Sequence, residues 1–240
     1  YSVGFCGFFL FLILKKLKLP DWYSIIFAAL IAALSPQIYR FVSHQALGLT
    51  LCVPMLWYFL LRFEETVHHK WHWGILVGSL PFFLGLFHLY YLPLCAFFTL
   101  SYAFIYALYF SKSLKSHWKK ALAIGLMGII PIVLMQVFIG VTVPELANRI
   151  KNPYGFFTYT TRFEGVFLPR LTPFYELIKS YMKLPYVQFE GHGSVGIIGT
   201  LALLFLIIRW LRFGIKRQFK RLYLFTSQPL LNRYLWSGTL

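Results

Sequence analysis

The run "ALAIGLMGIIPIVLMQVFIGV", Ala121 to Val141, decides how the rest of this chain is read. It contains no charged residue, and its length matches the ~20 apolar residues that a helix needs to cross a hydrocarbon core. On its N-terminal side stands "SKSLKSHWKK", Ser111 to Lys120, and beyond its C-terminal side Pro144 opens a long polar and aromatic segment. An apolar block bounded on one side by lysines is the pattern of a membrane helix with a basic flank.

Working outward, similar blocks recur along the 240 residues. Ser2–Leu14, Trp22–Ala33, Gln45–Leu61, Trp73–Phe87 and Leu92–Phe110 precede the quoted run; Val195–Leu211 follows it, and another block begins at Leu222. Hydrophobic residues make up 59% of the chain and charged residues 12%, about half the ~25% of an ordinary soluble domain. The expected fold class is all-α: a polytopic transmembrane helix bundle of about seven or eight spans with one sizeable extracytoplasmic loop. Long apolar blocks exclude the short alternating segments of a transmembrane barrel. Three parts are expected: helices in 1–143, a loop with a short helix in 144–194, and a helix, a basic loop and a further helix start in 195–240.

The formal charge of +16 is sorted by loop. Lys15, Lys16 and Lys18, then Arg62 and Lys70, then Lys112, Lys115, Lys119 and Lys120, then Arg209 to Arg221 occupy alternate connections. The positive-inside rule makes those connections cytoplasmic. Anionic lipid then accounts for the basicity, and no nucleic-acid partner is expected. The expected location is the cell membrane, with loop 144–194 outside. Cys6, Cys52 and Cys95 lie within apolar runs and read as small buried hydrophobes. The chain opens on Tyr1 without a signal-peptide pattern, and the expectation is a piece of a longer protein.

Three stretches face outward in this topology. In "LSPQIYRFVSHQALGL", Leu34 to Leu49, Arg40 and His44 are spaced i, i+4 and share a face if helical. Ser35 suits an N-cap and Pro36 a first turn, which would set Arg40 beside a helix N-terminus, a place for an anion. The alternatives are an arginine reaching to lipid headgroups and a histidine bonded within the bundle. In "HLYYLP", His88, Tyr90 and Tyr91 sit at a helix end, where aromatic anchoring competes with contact to a sugar or phosphate.

The loop 144–194 is aromatic and proline-rich, unlike a disordered linker. "TPFYELIKSYMKL", Thr172 to Leu184, reads as a short amphipathic helix lying on the membrane or on the bundle. Glu164 in "RFEGVF" and Glu190 with His192 in "FEGHGS" place carboxylates next to glycines. A Glu–His pair there suits acid–base work or the capping of the following span. His68, His69 and His72 form no recognised metal motif, and no cofactor motif or metal site is evident. Divalent metal dependence and oligomeric state are not legible.

The stretches "LSPQIYRFVSHQALGLTLCVPMLWYFLLRF", "HLYYLPLCAFF", "NPYGFFTYTTRFEGVFLP" and "FEGHGSVGIIGTLALLFLI" resemble the membrane core of large bacterial multi-pass proteins. These are the GT-C-type glycosyltransferases, including the YfhO-like membrane proteins. The resemblance implies sugar transfer from a polyprenyl-phosphate-linked donor to an acceptor on the outer side. It also implies a catalytic acid in the family's first external loop, which this sequence does not contain. Arg40, His44, His88 and Tyr91 are therefore substrate-binding candidates, with Glu190, Glu164 and His192 the candidates for acid–base chemistry. A transporter or flippase for lipid-linked glycans, and a non-catalytic assembly protein, are the competing classes. A flippase would need polar residues along a path through the midplane, and the spans offer Gln136 and Pro131.

Overall fold

A computed structural model describes residues 1–33, 35, 48–65, 70–109, 114–143 and 173–181, together with 200–201, 203–205, 207–208 and 211–212. The helices are α1 (Ser2–Lys16), α2 (Asp21–Ala33), α3 (Cys52–Glu65), α4 (Lys70–Phe87), α5 (Tyr91–Tyr109), α6 (Leu114–Thr142) and α7 (Pro173–Tyr181). The described residues between 200 and 212 are helical as well, and no strand occurs among the described residues. The fold is all-α. It falls into two units, one holding α1–α6 and the other holding α7 and the helical residues between 200 and 212.

Within the first unit the helices run up and down. α1 packs on α2 and α3, α3 on α4 and α5, and α6 closes against α4 and α5. The core is continuous through Ile13, Leu56, Leu60, Leu61, Val77 and Ile124, all nearly or fully buried. Small residues set the closest approaches. Ala28 and Ala32 of α2 lie against Gly7 of α1. Gly128 of α6 lies so near α5 that a Cβ there would stand 3.2 Å from that of Thr99 and 3.4 Å from the Ala96 carbonyl. Along α4, Gly74, Gly78, Pro81 and Gly85 share one face by helical spacing. That face receives Met127 against Gly74 and Gly78, and Met135 against Gly85. Because both contacts advance in the same direction, α4 and α6 are parallel. Pro81 and Pro131 are both fully buried.

Two boundaries differ from those read in the sequence. The third apolar block becomes helical at Cys52, with residues 48–51 forming a turn. A helix from Gln45 would have put Pro54 in its interior, deleting a backbone bond; a start at Cys52 puts Pro54 in the first turn, where no donor is missed. The sixth helix begins at Leu114, earlier than Ala121, so the lysines at 115, 119 and 120 belong to it. α1 ends in a Schellman closure, Lys18 N–H to Lys15 C=O and Leu19 N–H to Leu14 C=O, with Lys18 at φ 60°.

The unit has chemically unlike ends. Lys15, Lys16, Lys18, Asp21, Arg62, Glu64, Glu65, Lys119 and Lys120 gather at one end, where Lys16 pairs with Glu65 and Lys15 with Asp21. At the opposite end, the described parts of Ser2, Ser35, Gly48–Thr50, His88–Tyr91 and Thr142–Val143 include no Asp, Glu, Lys or Arg. Between the ends the outer surface is apolar, with Phe5, Ile25, Phe83, Phe97, Phe104 and Val133 among the exposed side chains. Trp118–Thr142 is long and apolar enough to cross a membrane, and only 22% of its most apolar stretch is buried. Asp21–Ala33, Trp71–Phe87 and Tyr91–Ala107 are apolar but shorter.

Candidate functional site

The uncharged end is assembled by side chains reaching backbone donors that no helix satisfies. α3 starts late, so the N–H groups of Leu49 and Thr50 need acceptors from elsewhere. The Leu49 N–H donates to Tyr91 Oη at 2.9 Å, and the Thr50 N–H to Ser2 Oγ at 3.0 Å. The Ser2 and Thr50 hydroxyls lie 3.3 Å apart, and the Cys52 thiol donates to the Leu49 carbonyl at 2.6 Å. The first residues of α1 and α5 thus hold the entry to α3. That entry is where the Arg40 stretch rejoins the described chain.

His88 stands beside this junction in the α4–α5 hairpin. Its Nδ1 accepts the Tyr90 N–H at 3.3 Å, which leaves Nε2–H as the donor of the neutral ring. Its ring centroid lies 4.7 Å from that of Tyr90 and 6.5 Å from that of Tyr91. The two tyrosines divide the work: Tyr91 is 2% exposed and positions α3, while Tyr90 is 67% exposed and available to a ligand. Of the two tyrosines, the substrate-binding candidate named from the sequence, Tyr91, is the buried one. Arg40, His44, Glu164, Glu190 and His192 lie outside the described residues. Of the candidates named from the sequence, the described structure brings His88 and Tyr91 together.

A second cluster, at the charged end, has no spacing motif that reading could find. Glu64, its side chain 1% exposed, accepts the Tyr102 hydroxyl at 2.6 Å on Oε2, and the Lys120 ammonium lies 3.8 Å from Oε1. Lys120 also donates to the Glu64 carbonyl at 3.3 Å and sits over the Tyr106 ring at 5.2 Å. Three helices meet on one carboxylate. The Arg62 guanidinium lies over Trp73 at 5.1 Å. Glu64 is a buried charge that persists because it is paired. The one available hint was an acidic doublet, Glu64–Glu65, in an otherwise basic connection.

Chemically, an imidazole donor next to an exposed phenol can bind a hydroxyl or phosphate oxygen. The described carboxylates of the first unit, Asp21, Glu64 and Glu65, lie at its charged end. Among the described residues no group of three or more His, Cys, Asp or Glu is placed to hold a metal. Cys6, Cys52 and Cys95 are buried and unpaired, as their apolar settings predict. His72 stacks on Trp71, ring centroids 3.5 Å apart.

Among the described residues, these features make the first unit a helical bundle with an apolar outer surface, one charged end and one neutral polar end. The chain belongs to the family described as a domain of unknown function, DUF6311, whose model matches residues 2–233. No curated protein and no solved structure matches it.

Proposed function

We propose that this chain is a polytopic protein of the cell membrane, with about seven or eight spans, that transfers a sugar from a polyprenyl-phosphate-linked donor to an extracytoplasmic acceptor. The observation that carries the membrane part is the separation of charge: the described Lys and Arg side chains of the first unit lie at one end and the neutral polar groups at the other. A basic cytoplasmic end is what the positive-inside rule requires. The exposed face of α6 supports the same reading, because the core helix of a soluble protein would be mostly buried. The shorter helices would cross by tilting little or by thinning the bilayer locally. In the second unit, Leu201, Leu204, Phe205 and Ile208 are exposed, as they would be against lipid.

The transfer reaction rests on the resemblance and on the junction at the neutral end. Arg40, on the stretch entering that junction, would stabilise the phosphate as the sugar leaves. His88 and Tyr90 would hold the sugar or its phosphate by hydrogen bonding and stacking. Glu190, Glu164 and His192, in the segment 144–194, are the candidates for activating the acceptor hydroxyl.

The test uses the intact protein in liposomes with a radiolabelled polyprenyl-phosphate hexose and a cell-envelope extract as source of acceptor, with and without EDTA. Release of polyprenyl phosphate is the expected result, falling roughly 100-fold in Arg40→Ala, as for other single stabilising groups at a developing anion. Donor crossing the bilayer uncleaved would make the protein a flippase. Neither cleavage nor movement nor binding of donor would leave an assembly role and end the transferase reading.

A further inference from the structure

α6 carries one polar side chain where an apolar one belongs. Gln136 is exposed, on the same surface as Val133 and Val137. No described residue hydrogen-bonds its amide. On the membrane reading, which this inference rests on, it lies six residues before Thr142, about 9 Å along the axis from the helix end. Cα–Cβ bonds tilt toward a helix N-terminus, so this side chain leans away from the nearer interface and deeper into hydrocarbon. Leu, Ile and Val are at home against acyl chains. A primary amide there needs a partner, because lipid offers none.

The register around Gln136 says what kind of partner fits. Leu122, Leu126, Ile129, Val133, Gln136 and Gly140 follow one another at steps of four, three, four, three and four, and all six are exposed. That is the alternation of a two-helix seam packed at a shallow left-handed crossing. Gly140 has open space where a side chain would stand, so a neighbouring backbone can approach closely at that end. A single polar residue in such a seam fixes register, and an amide carries both a donor and an acceptor. Two copies of Gln136 across a twofold axis satisfy each other with reciprocal N–H···O=C bonds, which one copy facing an apolar helix does not.

We infer that α6 is a homodimerisation helix, packing along this seam against α6 of a second copy with paired Gln136 amides at its centre of specificity. The native cysteines are buried, which leaves single cysteines placed on the seam free to report contacts. V133C, Q136C and G140C, in liposomes at low protein-to-lipid ratio, should form disulfide-linked dimers on mild oxidation. I130C and L134C, equally exposed but off the seam, should do so at least tenfold less. In the cysteine-unaltered protein, Gln136→Leu should raise the dissociation of fluorescently paired copies about tenfold, and Gln136→Asn should restore most of the association. Equal cross-linking at all five positions, no cross-linking, or unchanged association in Gln136→Leu would overturn the dimer. A membrane-impermeant maleimide separates this from the spanning reading. Protection at 133 with no dimer refutes the seam alone, whereas ready labelling at 133 refutes the span itself.

Discussion

At the scale of single residues, the two ends of the bundle are held by different chemistry and fail differently. Glu64 is a buried carboxylate shared by α3, α5 and α6 through Tyr102 and Lys120. Glu64→Ala should destabilise by about 3 kcal/mol, the low end of the range for a broken buried pair, because Lys120 is 24% exposed. Glu64→Gln keeps a group that can accept from Tyr102 and should cost less. Thermal unfolding in detergent distinguishes the two. At the neutral end, Tyr91→Phe removes the acceptor for the Leu49 N–H and should cost about 1–2 kcal/mol by the same measurement. Because Tyr91 is buried, its loss should reduce stability and donor binding together. Tyr90→Phe should leave stability unchanged.

At the scale of elements, periodicity and punctuation carried most of the reading. The apolar blocks 2–14, 22–33, 73–87 and 92–110 coincide with α1, α2, α4 and α5 to within a few residues. The third block failed at its start because apolar content does not register a proline, and Pro54 restricts a helix to beginning just before it. The sixth failed at its start because lysines were read as loop. Lys120 instead stays helical with its ammonium on the Glu64 cluster, a partner far away in sequence. Such long-range pairings leave no local trace, which is why the charged cluster was invisible while the aromatic hairpin was not.

The contact of α5 with α6 offers the sharpest test at this scale. Gly128→Leu places a side chain into Thr99 and the Ala96 carbonyl, and should cost about 1–3 kcal/mol as the helices separate. The same substitution at Gly140, which faces open space, should leave the monomer's stability unchanged. α7 extends the logic to the second unit. Leu177 and Tyr181 are 54% and 84% exposed, whereas Glu176 and Lys179 pair at 3.8 Å. Its apolar face is therefore open to an interface.

At the scale of the whole molecule, sidedness is the property that the proposed function requires. A cysteine at Lys18 should be labelled by an impermeant reagent only from the cytoplasmic side, and one at Tyr90 only from outside. Labelling of both from one side would remove the proposed topology. The alternation of basic and less basic connections was legible in the sequence, because loop charge is a compositional property, and it matches the separation of charged from neutral polar groups among the described residues of the first unit. Whether Arg40 and His44 share a site with Glu164, Glu190 and His192 is not legible there, because residues more than a hundred positions apart meet only through tertiary contacts that spacing does not encode.

The face shared by α4 and α6 has a mechanical consequence. Each buried proline removes the hydrogen bond to the carbonyl four residues earlier, Val77 in α4 and Met127 in α6. Met127 lies with its Cγ beside Gly78 and Met135 lies beside Gly85, so Pro81 and Pro131 stand within about one residue's rise, roughly 1.5 Å, of the same height. Two neighbouring parallel helices therefore each lack a backbone bond at about one level, which is where bending would cost least. A bend there would tilt the C-terminal halves of both helices as a pair and carry the His88 hairpin with them.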